Sequence, residues 1–266
     1  MSKWLGLNDK VIVVTGGSSG IGHAVVDALL DVGAKVANLD IQECTRKHEN
    51  LFFSKTDVTN LENIKSSIDA VIAHFGRIDG LVNNAGINIP CLLVDSNEQN
   101  SKYEIGPNNY TRMTDINLKG VVFVAQAVAR HLVAQKSGVI INMSSESGIE
   151  GSEGQSIYAA TKAALNSLTR SWAKELAKFN IRVIGIAPGI LEVTGLRTES
   201  YEQALAYTRN KTVQQLRDGY NNTSSIPMGR SGKLSEVADT VCYYLSDRAS
   251  YITGVTTNVS GGKTRG

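Results

Sequence analysis

Residues 11–22 read VIVVTGGSSGIG. Four apolar β-branched residues in a row suit a strand covered on both faces, since a strand with one wet face alternates apolar with polar side chains. The run stops at Thr15, and glycines follow at 16, 20 and 22. Such glycines permit a tight turn, close approach of backbone to a ligand, and close packing of the helix that starts there. The free N–H groups and positive dipole end of that helix face outward and suit a pyrophosphate. Gly16, Ser18, Ser19, Gly20, Ile21 and Gly22 are therefore expected to cradle a dinucleotide. The stretch lacks the Gly-Lys-Ser/Thr ending of a triphosphate loop, which argues against an ATPase.

Six further runs repeat the strand pattern: KVANLD (35–40), LFFSKTDV (51–58), GLVNNAG (80–86), GVIINMSS (138–145), IRVIGIAPG (181–189) and TGVTTNVSGG (253–262). Helical periodicity falls between them, near 20–33, 61–75, 108–136, 156–179 and 234–246, with Thr59–Glu62 reading as a capping box before the second helix. Regular alternation of this kind predicts an α/β fold, a single domain over 1–266 with about seven strands in a doubly wound parallel sheet flanked by helices. Two segments break the rhythm. Residues 88–107 form a long polar loop, and 190–230 hold an insertion after the sixth strand with one extra helix around 200–219. Both leave from the carboxyl ends of strands, where ligands bind in open sheets.

The 266 residues are 42% hydrophobic and 20% charged, with a formal net charge of +2. No run of Lys or Arg forms a nucleic-acid stripe. No apolar stretch approaches the roughly 18–20 residues that span a bilayer, and nothing at the start resembles a secretory leader. Three scattered cysteines argue against a disulfide framework and offer no metal-ligand spacing. A cytoplasmic location is the expectation.

Asp40 ends the second strand, 18 residues after Gly22. There a carboxylate accepts hydrogen bonds from ribose hydroxyls and repels a 2′-phosphate. No base adjoins it, and position 19 is serine, so NAD is favoured over NADP. Asp57 and Val58 are expected at the adenine, with a helix cap as the other reading of Asp57. YAATK (158–162) sets a phenol and an ammonium one helical turn apart on one face.

Together TGGSSGIG, NNAG (83–86), Asn117, NMSS (142–145), YAATK and PG (188–189) resemble the short-chain dehydrogenase/reductase family, in its order and spacing and over nearly the whole chain. The resemblance implies a Rossmann-like domain, NAD, and hydride transfer with Tyr158 as acid/base. Lys162 then favours the phenolate and grips the nicotinamide ribose, since an unperturbed phenol titrates near pH 10. It implies that Ser145, 13 residues before Tyr158, holds the reacting oxygen, with Ser144 and Ser147 as neighbours to distinguish from it. Asn117 is implied to hold a water on the proton path, or on a plainer reading to bond backbone. Asn84, Ala85 and Gly86 support the adenosine side. Pro188, Gly189 and Ile190 turn against the nicotinamide, with Thr194 at the carboxamide or pyrophosphate.

Longer stretches, such as ALAYTRNKTVQQLRDGY (204–220), carry a closer similarity that implies a phosphorylated polyol as substrate. Asn88, Ser147, Arg197, Arg209 and Lys211 are the candidate substrate contacts, the bases for the phosphate. The polar, acidic loop 144–155, with Glu146, Glu150, Glu153 and Gln155, suits hydroxyls and argues against a steroid or fatty-acyl pocket. An oxidoreductase for another small polyol, cyclic alcohol or ketone stays open, as does a non-catalytic nucleotide sensor. Leu165, Leu168, Trp172, Leu176 and Phe179 form a stripe on the 156–179 helix, and Ala160, Ala164, Ser167 and Ser171 lie on another side. The second face is either internal or covered by a symmetry mate, and the resemblance implies a homodimer or homotetramer.

Overall fold

The apolar runs become seven parallel strands of one sheet in the computed structural model, which describes residues 4–195 and 197–264. They are β1 (Val11–Thr15), β2 (Lys35–Asp40), β3 (Leu51–Lys55), β4 (Gly80–Asn83), β5 (Gly138–Met143), β6 (Ile181–Pro188) and β7 (Thr256–Val259), ordered β3-β2-β1-β4-β5-β6-β7. The chain winds outward from β1 to β3, then returns to add β4 on the other side of β1. That reversal leaves a crevice beyond the carboxyl ends of β1 and β4.

β1 shows why its sequence is continuously apolar. Ile12 and Val14 face one core, with α1 (Gly20–Asp31) and α9 (Leu234–Leu245) packed over them. Val11 and Val13 face the other, covered by α2 (Leu61–Phe75), α4 (Val121–Gln135) and α6 (Ser156–Leu176). Each such side chain, fully withdrawn from water, contributes about 1.5–3 kcal/mol.

Several boundaries depart from the sequence expectation. β3 ends at Lys55, three residues early, because the Asp57 carboxylate turns the chain by accepting from the Thr59 amide at 2.8 Å and hydroxyl at 2.7 Å. Thr59 therefore does not cap α2. Asn60 does, accepting from the Asn63 amide at 3.0 Å.

α3 (Pro107–Thr114) runs through a π-helical segment, Asp115–Gly120, into α4. Within these 29 residues an 18-residue window reaches a mean hydropathy of 1.2, enough by length and composition alone to cross a bilayer. Val121, Val124, Val128 and Leu132 are buried against the sheet, as in a core helix. After the short α5 (Ser147–Glu150) and α6, the insertion holds two helices rather than one, α7 (Glu199–Thr208) and α8 (Val213–Asn221). Asn210 takes a left-handed φ of 51° between them. Thr212 and Gln215 then open α8 with a reciprocal capping box.

Loop 88–107 is fastened to α7. The Asp95 carboxylate accepts from the Tyr207 hydroxyl at 2.7 Å, and Tyr103 stacks on Tyr207 with centroids 4.1 Å apart. The two insertions thus form one wall above the carboxyl ends of the strands.

Candidate active site

A cleft of about 580 Å³ opens at the β1/β4 reversal. Gly16 (φ 66°) lies so near Ala85 that a Cβ would sit 2.9 Å from its Cα, and a Cβ on Gly22 would sit 2.1 Å from the Gly16 carbonyl. Gly22 thus lets α1 pack under the turn, while Gly16, Ser19, Gly20 and Ile21 line the cleft. Ser19 stands at the N-cap of α1 without a side-chain capping bond, so the first amides stay free for an anion. Asn84 clamps the loop from β4, donating to the Thr15 and Gly16 carbonyls at 3.1 and 3.0 Å. Ala85 and Gly86 line the same wall.

Asp40 is 8% exposed at the cleft edge, held by the Ser18 and Gln42 amides at 2.9 Å each. Ser18 is thereby a brace, not a cleft-lining group. The free lone pairs of the fixed carboxylate suit a ribose diol. Asp57 and Val58 also line the cleft, Asp57 with one oxygen engaged by Thr59. At the far end Pro188 and Thr194 line it, and Thr194 reaches over Gly20. Gly189 and Ile190 depart from expectation: Gly189 packs on Ser260, and Ile190 lines a second cavity beside Met228 and Gly261. The donor set fits a dinucleotide from its phosphates to its nicotinamide.

Tyr158 and Lys162 project from the first turns of α6 into this end. Lys162 is 5% exposed, and its ammonium donates to the Met143 carbonyl at 2.7 Å while lying 5.7 Å from the Tyr158 ring centroid. Burial lowers its pKa from 10.5 to about 8, so it is mostly charged at pH 7. The phenol of Tyr158 moves the other way, above its ordinary value, chiefly through burial. Ser145 opposes that rise by hydrogen bonding and the charge of Glu146 adds to it. Burial is thus the largest influence on the phenol, ahead of the opposing hydrogen bond from Ser145.

Ser144 and Ser145 separate by their bonds. The buried Ser144 hydroxyl donates to the Lys162 carbonyl at 3.0 Å and braces α6. Ser145 pairs with the phenol, and its oxygen also accepts from the Ser147 amide at 3.2 Å. Asn117 sits on the π-helical segment, fully buried, as on the plainer of its two readings. Its side chain accepts from the Ile87 amide and donates to the Ile87 carbonyl, both at 2.8 Å.

The substrate candidates scatter. Asn88 keeps a buried carbonyl oxygen without a partner. Arg197 lies 3.3 Å over the Tyr220 ring, with its Nε enclosed and unbonded. Arg209 is committed to Ser152 at 3.1 Å and to the Glu153 carbonyl, tying loop 144–155 to the insertion. Lys211 is exposed on the α7–α8 turn. Gln155 bonds the Tyr201 hydroxyl at 2.9 Å. Sequence reasoning missed Ile87, Arg112 and Gln42 as lining residues. Gln42 was within reach of it, two residues beyond Asp40; Arg112 depends on how α3 folds back over the cleft.

The family model described as short chain dehydrogenase matches residues 10–205, and the chain belongs to that family of oxidoreductases. Sorbitol-6-phosphate 2-dehydrogenase of Klebsiella pneumoniae is 62% identical over 268 residues, covering all of both chains. Among solved structures, the NADH complex of 3-ketoacyl-(acyl-carrier-protein) reductase from Brucella melitensis is 28% identical with a TM-score of 0.81, covering 97% of this chain and 100% of that one. Ligand-free aldohexose dehydrogenase of Thermoplasma acidophilum is 29% identical with a TM-score of 0.83, covering 97% and 95%.

Proposed function

We propose that this chain, as one catalytic domain over 1–266, interconverts D-sorbitol 6-phosphate and D-fructose 6-phosphate with NAD. The observation that supports the chemistry is Tyr158 and Lys162 at one end of a cleft whose other end presents free α1 amides and Asp40, with Ser145 hydrogen-bonding the phenol. The full-length identity to the Klebsiella enzyme supports the substrate.

The Ser145 hydroxyl holds the reacting oxygen by hydrogen bonding and orients its proton toward Tyr158. Tyr158 takes that proton as phenolate in oxidation and returns it in reduction. Lys162, charged below about pH 8, supplies the fixed cation of the site and donors for ribose hydroxyls. Asn117 holds the Ile87 backbone beside the cleft. When bound, oxidised nicotinamide supplies the hydride acceptor and a positive charge near the phenol. Asp40, with no base beside it, favours the cofactor without a 2′-phosphate.

For the substrate phosphate, Arg197 is the best placed of the three bases. It follows Thr194 and Gly195 of the cleft wall and retains an unbonded Nε. A panel of sorbitol 6-phosphate, sorbitol, mannitol phosphate and fructose 6-phosphate tests the proposal. Highest catalytic efficiency with sorbitol 6-phosphate and fructose 6-phosphate is expected, and Arg197→Ala should erode the preference over free sorbitol about tenfold or more. A clear preference for an unphosphorylated alcohol would reject it.

The exposed Ala160, Ser167 and Ser171 face of α6 supports assembly as a homodimer or homotetramer. Three unpaired cysteines, two of them buried, suit a cytoplasmic enzyme.

A further inference from the structure

Glu146 directly follows the serine that meets the phenol, and its carboxylate is engaged by the C-terminal segment. One oxygen accepts from the Lys263 ammonium at 2.8 Å, and the other from the Thr264 hydroxyl at 3.0 Å. The side chains are only 15% (Glu146) and 23% (Lys263) exposed. These partners lie more than a hundred residues away in a C-terminal turn made by Gly261 and Gly262, with φ of 63° and 86°. The turn closes on Ser260, whose carbonyl accepts from the Lys263 amide and whose hydroxyl accepts from the Thr264 amide.

Four segments converge there. The Glu146 amide donates to the Pro188 carbonyl, and the Gly189 amide donates to the Val259 carbonyl. A Cβ on Gly189 would lie 2.8 Å from the Ser260 side chain and 3.0 Å from the Glu146 carboxylate. Ser145 and Pro188, on either side of this junction, are the residues that reach the phenol and the nicotinamide end of the cleft.

We infer that the clasp of Glu146 with Lys263 and Thr264 is a positioning element of the active site, fixing the Ser145 loop and the Pro188–Gly189 turn and screening the Glu146 charge from Tyr158. The inference rests on Tyr158 as acid/base. The Glu146 charge disfavours the phenolate, and the ammonium bonded to it at 2.8 Å offsets that field. The titratable groups facing the phenol come from three elements: Lys162 on α6, Glu146 after β5, and Tyr201 on α7. Tyr201 stays neutral, its own phenol pushed well up by burial. Glu146 is therefore the anion in this set, and Lys263 its counter-ion.

The test is the pH profile of kcat/KM for sorbitol 6-phosphate oxidation, whose acidic limb reports the base in free enzyme. Lys263→Met leaves Glu146 uncompensated and should move the limb up by about half a pH unit. Glu146→Gln should move it down, and the double variant should return it toward wild type. Lys263→Arg keeps the charge and should keep the wild-type limb even where the tail is less stable. A tail that merely stabilises the fold would lower activity without these opposite displacements. An unmoved limb in both charge variants, or shifts of the same sign, would overturn the inference. Retained turnover in Tyr158→Phe would instead overturn the acid/base reading beneath it.

Discussion

Replacing Lys162 by Met should separate the folding role of this residue from its catalytic one. In the folded protein its pKa falls from 10.5 to about 8 through burial. The unfolded chain therefore binds more protons between about pH 8 and 10.5, so stability rises with pH across that window. Below pH 8 the folded state carries the full penalty for a desolvated ammonium, about 3 kcal/mol at 1.36 kcal/mol per pH unit. Methionine removes that penalty but leaves the buried Met143 carbonyl without its 2.7 Å donor, which costs about 1–3 kcal/mol at any pH. At pH 7 the variant should accordingly be as stable as wild type or up to about 2 kcal/mol more stable, with no turnover. On raising the pH to 10, wild type should gain about 2–3 kcal/mol on the variant. Urea unfolding followed by circular dichroism at pH 7 and pH 10, without cofactor, reads this gap directly. Other titrating groups cancel between the two proteins. A gap that does not change with pH would refute the reasoning, because it would mean the ammonium is not desolvated in the native state.

Three further substitutions probe the cofactor end. Asp40→Asn keeps the size of the side chain but removes the charge fixed by the Ser18 and Gln42 amides. It should raise the KM for NAD about tenfold and narrow the preference over NADP, as read from kcat/KM with each cofactor. An unchanged ratio would remove Asp40 from the discrimination. Gly22→Ala drives a Cβ to 2.1 Å from the Gly16 carbonyl, so α1 must shift, with a loss of about 1–3 kcal/mol in urea unfolding and weaker NADH binding. Gly195→Ala, where a Cβ meets nothing within 4 Å, should change stability by less than about 0.5 kcal/mol.

The central strands were legible because they are covered on both faces, which writes apolar runs into the chain whatever surrounds them. The glycine loop was equally legible, since its spacing and its place between a strand and a helix are both local. Boundaries were less so. Asp57 ends β3 through a side-chain turn that competes with a ladder bond, and a strand reading of LFFSKTDV carries no sign of it. The split of α7 from α8 was written in Thr212 and Gln215, but the surrounding Tyr-, Arg- and Gln-rich segment reads as one helix. The substrate wall was least legible. Arg209 and Glu146 find partners 57 and 117 residues away, and only tertiary packing decides whether such a charge faces a ligand or a neighbour. The phenol illustrates the same limit. A spacing of four places Lys162 beside Tyr158, while the burial of both, which only the folded packing sets, shifts their acidities.

The most direct measurement is NADH formation from sorbitol 6-phosphate by Tyr158→Phe, with NADH binding followed by fluorescence to show that the cleft is intact. A ring lacking its hydroxyl should bind the dinucleotide normally and turn over about 10²–10⁴ times more slowly. Wild-type turnover by this variant would contradict the account.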